Sequence, residues 1–177
     1  MMKEVVIKEI GIVEATKYRR QICKVMAESH KVNFIDSDFF DSNARFEKMC
    51  DYMRLGKARV AIALEKDEFC GYMWFFCVSE NRFHLNEIAV TYEKRGNHIG
   101  SKLVEYLEGL AKKSDVREIE LFCMESNEAA KSFYSSGRNT AVWSSIDSIS
   151  TGLVYASLGV LFGTLVDYFI SSKYMLY

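Results

Sequence analysis

Arg95-Gly96-Asn97-His98-Ile99-Gly100 carries the clearest chemistry in this chain. The stretch lies between an apolar run, Leu85 to Val90, and an amphipathic pattern that begins at Ile99. A glycine-bearing turn from a strand into a helix exposes backbone N–H groups at the positive end of the helix dipole. Such a turn is a cradle for phosphate oxygens. Glycine serves it by allowing positive φ and close approach of the backbone to a ligand. Asn97 and His98 tolerate a left-handed conformation better than most residues.

The elements that must hold this turn are legible from periodicity. Val5, Val6, Ile7 and Ile10 suggest a first strand. One helix is expected from about Glu14 to Lys31, with Ile22, Val25 and Met26 on one face. His30 to Asp41 has no clear period and reads as a loop, or a loop and a short turn. A second helix, capped by Ser42 or Asn43, carries Phe46, Met49, Cys50 and Met53 and ends at Gly56. Three strands follow, Ala58 to Leu64, Phe69 to Val78 and Phe83 to Val90, separated by polar breaks. A helix from about Gly100 to Lys113, a strand through Ile119, Leu121 and Cys123, and a short helix from Asn127 to Tyr134 complete the order β-α-α-β-β-β-α-β-α. A three-strand meander leading into a β-α-β unit predicts an α+β fold with a mixed, mostly antiparallel sheet flanked by helices.

Composition narrows the function classes. With 23 basic and 24 acidic residues the net charge is -1, which argues against a nucleic-acid partner. The five cysteines lack CxxC spacing and read as reduced core thiols. No His, Cys, Asp and Glu cluster has ligand spacing, so no metal is expected. The N-terminus lacks the apolar stretch of a signal peptide, which predicts a cytoplasmic protein. Ser148 to Val166 is uncharged and contains Gly159-x-x-x-Gly163. Residues 148–170 therefore read either as buried closing structure or as a membrane anchor.

Two segments together resemble the GNAT superfamily of acyl-CoA-dependent N-acyltransferases. Arg95, Gly96 and Gly100 resemble its Arg/Gln-x-x-Gly-x-Gly/Ala loop, with His98 where the family has its first glycine. Asn127-Glu128-Ala129-Ala130-Lys131-Ser132-Phe133-Tyr134 resembles its Asn-x-x-Ala-x-x-Phe-Tyr segment; the aromatic that would follow Gly137 is missing. The resemblance covers roughly residues 1 to 137 and implies a single acetyltransferase domain that uses acetyl-CoA, over a chain whose segment 138–177 is atypical. Backbone groups of Arg95, Gly96, Asn97, His98, Ile99, Gly100 and Ser101 would hold the pyrophosphate. Ile88, Ala89 and Val90 would offer main chain to the pantetheine arm, and Asn127 and Tyr134 would complete the cofactor site.

The same resemblance implies roles for side chains. Tyr134 would protonate the departing thiolate. Glu87 stands where relatives often carry an acid and is the candidate base for an amine acceptor. His84, three residues earlier, would face the opposite side of an unbulged strand. Phe34, Asp36 and Phe39 lie in the segment that receives the acceptor, and aromatics with carboxylates suit an amine by cation–π and charge contacts. A solvated acidic loop pinned by core phenylalanines explains that segment equally well. The acceptor is expected to be a small-molecule or peptide amine, and a homodimer is compatible with the sequence. Two other readings stand beside the enzyme: a catalytically degenerate CoA-binding or partner-binding module, and a membrane-tethered acyltransferase.

Overall fold

The computed structural model describes residues 4–33, 40–124, 127–135 and 141–146. Six strands form one sheet in the order β1-β2-β3-β4-β5-β6: Val5–Ile10, Ala58–Glu65, Glu68–Ser79, Arg82–Val90, Glu118–Met124 and Ala141–Ile146. The first four pair antiparallel, and β4-β5 and β5-β6 pair parallel. Helices α1 (Ile12–Lys17), α2 (Arg19–Asn33) and α3 (Ser42–Arg54) precede β2, α4 (Ile99–Lys113) joins β4 to β5, and α5 (Glu128–Ser135) follows β5.

Both faces of the central strands are covered, which explains why β3 reads as an unbroken apolar run. Tyr72, Trp74 and Phe76 of β3 share one cluster with Ile22, Val25 and Met26 of α2 and Phe46, Met49 and Cys50 of α3. Met73 and Phe75 point the other way, to Leu103, Leu107 and Ala111 of α4 and to Ile119 and Leu121 of β5.

Four expectations change. The first predicted helix is two helices, divided at Tyr18, whose ring stacks on Phe69 at 5.8 Å while its backbone leaves helical geometry. The cap of α3 is Asp41, one residue earlier than expected; its carboxylate accepts from Asn43 N at 2.8 Å and Ala44 N at 3.2 Å. A strand at Ala141–Ile146 was not expected and extends the sheet beyond β5.

The fourth change concerns β4. Glu87 pairs with Trp74 and Leu85 with Phe75, so Asn86 is an extra residue in β4, a β-bulge. An inserted residue shifts the alternation of side chains by one. His84 and Glu87 therefore lie opposite Phe76 and Trp74, on one face of the sheet rather than on two. The sequence expectation assumed an unbulged strand.

Residues 147–177 and the segment 136–140 lie outside the described residues, so the reading of 148–170 and the turn at Ser136-Gly137 have no structural counterpart here. Among the described residues no helix is long and apolar enough to cross a membrane.

Gly71 fixes the far end of β4. A Cβ built there would sit 2.6 Å from the Ala89 carbonyl oxygen and 3.1 Å from Val90 Cα, both backbone atoms. Gly71→Ala should displace the end of β4 and destabilise the protein by about 1–3 kcal/mol, the usual cost of overpacking. Denaturant unfolding of the variant measures it, and an unchanged midpoint would mean that β4 yields freely.

Candidate functional site

The site begins where two neighbouring strands part. β4 pairs with β5 only from Arg82 to Leu85, opposite Glu118 to Leu121, and β5 then continues alongside β6 to Met124. The bulge at Asn86 falls at the parting, and a bulge bends its strand and increases local twist. Beyond it, Glu87 to Val90 remain paired to β3 on one side and have no β5 partner on the other. That edge presents main-chain donors and acceptors to a cleft, as any unpaired strand edge does. Ile88 and Val90 pack their side chains on the α4 side of the sheet, leaving their main chain as the part that faces the cleft.

The loop continues from this edge. Tyr92–Lys94 form one 3-10 turn, and Arg95 Nε donates to the Val90 carbonyl at 3.2 Å, with its guanidinium over the Tyr92 ring at 5.5 Å. Asn97 Nδ2 donates to the carbonyls of Lys94 and Arg95, at 3.2 and 3.3 Å. Gly96 has φ 77°, and a Cβ there would meet nothing within 4 Å. His98 is the N-cap of α4 at φ 58° and ψ 17°, a left-handed conformation, and makes no side-chain cap bond. It thus does conformationally what a glycine would do at that position. Lys102 N donates to the His98 carbonyl at 3.0 Å. The amides of Ile99 and Gly100 precede this bond and have no carbonyl one turn back, and Ser101 ends the same first turn.

Helix α5 brings the second motif to the first. A Cβ at Gly100 would lie 3.5 Å from Phe133 Cζ and 4.0 Å from Val90 Cγ2, so the strand end, the loop and α5 meet at one point. Asn127 caps α5 through its Oδ1, which accepts from Ala130 N at 3.0 Å. Tyr134 packs against the α4-side core, edge-on to Phe133 at 5.0 Å. Burial raises the Tyr134 pKa, with a smaller contribution from Cys123, so its phenol keeps its proton across the physiological range.

Glu87 lies on the opposite face of β4, in a polar group closed by α3. Its Oε2 accepts from Arg45 Nε at 3.1 Å and from Trp74 Nε1 at 3.2 Å. The Arg45 guanidinium lies over the Trp74 ring at 5.5 Å. With its amide oxygen turned inward, Asn86 accepts from Trp74 Nε1 and Arg45 Nη2, each at 3.1 Å. The hydroxyl of Tyr72 is fully buried and has no hydrogen-bond partner among the described residues. Its pKa is raised, first by burial, then by the Glu87 charge and by the approach of the hydroxyl to the Glu87 carboxylate, against a smaller opposing effect of Arg45. His30 stacks on Phe40 at 3.9 Å, and burial together with the Arg45 charge lowers its pKa, so it is neutral at pH 7.

His84 belongs elsewhere. It is buried with Nδ1 3.4 Å from Glu120 Oε1 and its ring beside Phe122 at 5.1 Å. Burial lowers its pKa against the pull of Glu120. Phe34, Asp36 and Phe39, the acceptor-side candidates, lie outside the described residues. Arg45 and Tyr72 had no signal in the sequence: Arg45 meets Glu87 across 42 positions, and Tyr72 reads as one more aromatic in an aromatic strand. Among the described residues no group of three or more His, Cys, Asp or Glu side chains is arranged to hold a metal.

No curated protein matches the chain. Its fold is similar to that of the PaiA N-acetyltransferase of Thermoplasma acidophilum in complex with coenzyme A, with a TM-score of 0.62 and 17% identity over 75% of this chain and 87% of that one. It is also similar to a ribosomal-protein-alanine N-acetyltransferase of Brucella melitensis biovar Abortus, with a TM-score of 0.61 and 17% identity over 81% and 96%. An aminoglycoside acetyltransferase from an uncultured soil metagenomic sample, in complex with sisomicin, gives a TM-score of 0.59 and 15% identity over 78% and 92%. A model of the acetyltransferase (GNAT) family matches residues 20–137, a span that contains the parted strands, the loop and α5. The chain belongs to the acetyltransferase (GNAT) family of acetyl-CoA-dependent N-acetyltransferases.

Proposed function

We propose that this acetyltransferase, acting as a single domain, moves the acetyl group of acetyl-CoA to a primary amine by direct attack in a ternary complex. The observation that carries the reading is the open edge of β4, followed through one 3-10 turn by a loop with two left-handed residues that leads into the N-terminus of α4. The edge from Glu87 to Val90 suits the amide-rich pantetheine arm, and one N–H there would polarise the thioester carbonyl. The turn from Gly96 to Ser101 suits the pyrophosphate through backbone donors and the dipole of α4. Arg95 ties the turn to the strand end.

The acceptor reaches the site as an ammonium ion, and Glu87 takes its proton. The free amine then forms the C–N bond as the C–S bond breaks, Tyr134 gives its phenolic proton to the leaving sulfur, and the proton that the new amide nitrogen sheds restores the Tyr134 phenol. A covalent acyl-enzyme has no support, because burial raises the pKa of Cys23, Cys50, Cys70 and Cys123 and keeps these thiols protonated. The acceptor amine belongs to a small molecule or a peptide.

Calorimetric titration with acetyl-CoA, followed by thiol release across a panel of primary amines, tests the proposal. Turnover supports it, binding without turnover on any amine favours a non-catalytic module, and absence of binding overturns the reading of the loop. Glu87→Gln should lower kcat/KM for the amine by about 10²-fold or more while leaving acetyl-CoA affinity unchanged. Tyr134→Phe should lower kcat by about 10²-fold or less, since a thiolate is already a fair leaving group. At Gly100 the added methyl of alanine would make only ordinary contacts within the protein. Gly100→Ala should therefore keep or slightly raise thermal stability. Acetyl-CoA affinity should stay within about threefold, because the methyl points toward Phe133 and Val90 and the family's loop accepts alanine at this position.

A further inference from the structure

We propose that Tyr72 is a positioning residue that acts through Glu87: its buried hydroxyl accepts a hydrogen bond from the Glu87 carboxyl group once that group has taken the acceptor's proton. The inference rests on Glu87 being the base. Tyr72 and Trp74 point to the same face of β3, and Glu87 lies opposite Trp74 while Ala89 lies opposite Tyr72. Tyr72 and Glu87 are therefore diagonal neighbours, a distance that a tyrosine spans. The charged and titratable groups around the hydroxyl are Glu87 on β4, Arg45 on α3 and Cys23 on α2.

Two observations give the hydroxyl a task. It sits in an apolar cluster with Ile22, Val25 and Met26, where a phenylalanine would fill the same space without burying an oxygen that makes no hydrogen bond among the described residues. A buried, unsatisfied hydroxyl is a standing cost to the fold. The second observation is the chemistry around Glu87. Arg45 and the Trp74 indole can only donate, which suits a carboxylate. Protonated, Glu87 becomes a donor itself and needs an acceptor that neither of them can be. The Asn86 oxygen already takes both of those donors. A hydroxyl can accept as well as donate, so Tyr72 can take the hydrogen bond that the protonated carboxyl group offers. The proton leaves the acceptor nitrogen and arrives on the second carboxylate oxygen, Oε1, with no electron transfer and no other bond broken.

The stability comparison needs no known acceptor. Tyr72→Phe is compared by denaturant unfolding of the full chain in two backgrounds, the native one and Glu87→Gln, whose amide donates as the carboxylic acid would. In the native background at about pH 7, the unfolding equilibrium constant should stay within about twofold of the parent or fall, because an unsatisfied group is removed. In the Glu87→Gln background the same change should raise it by about tenfold. Equal effects in both backgrounds overturn the proposal, as expected if a buried water already serves the hydroxyl. A large cost in the native background overturns it too. If Glu87→Gln does not fold, Glu87→Asn, whose amide also donates, takes its place with the same expectation, and equal effects of Tyr72→Phe in that background refute the proposal. Unequal effects combined with wild-type acetyl transfer by Glu87→Gln would remove the base assignment and the catalytic meaning of the contact together. Equal effects combined with an inactive Glu87→Gln would remove the role of Tyr72 alone.

Discussion

The extra residue at Asn86 is the constraint on which the rest of the site depends. A bulge costs ladder hydrogen bonds and is retained where it re-aims a strand. Here it turns β4 away from β5 after only four paired positions and leaves an edge whose donors and acceptors are still held rigid by β3. It also moves Glu87 onto the face occupied by Trp74 and Tyr72. A single insertion thus coincides with the parting of β4 from β5 and sets which face of the sheet Glu87 occupies. Gly71 completes the arrangement from the other strand, because its missing side chain lets β3 and the end of β4 lie close enough to keep that edge straight.

The loop answers a different demand, which is to turn the chain from β4 into α4. Two left-handed positions, Gly96 and His98, make the turn, and only one of them is glycine. A non-glycine residue in that conformation costs about 1–2 kcal/mol. The cost is offset by the surrounding bonds: Arg95 to Val90, Asn97 to two carbonyls, and Lys102 to His98. Helix α5 then closes over Gly100 through Phe133, so the two motifs recognised in the sequence are also one packing unit.

Much of this was legible before any coordinates. The aromatic run of β3, the apolar stripe of α4 and the capping Asn127 each follow from local periodicity or side-chain chemistry, and each has its counterpart in the structure. What escaped has a common physical origin. A bulge leaves no mark on composition, so the alternation argument put His84 and Glu87 on opposite faces. The division at Tyr18 coincides with a tertiary contact with Phe69, and the pairing of β6 with β5 depends on the sheet already being present. Arg45 and Tyr72 acquire meaning only through Glu87, a neighbour that folding alone supplies.

Trp74 lies at the centre of these relations. Its indole N–H is bonded to Glu87, its ring carries the Arg45 guanidinium, and its backbone is paired across the bulge. Indole emission is sensitive to charge and hydrogen bonding in its surroundings, so the protein contains an optical reporter wired to its own carboxylate. The chain has two tryptophans, and replacing Trp143 would isolate the signal of Trp74. The protonation and occupancy of the site would then be visible in the unlabelled protein, in real time and without reference to any product.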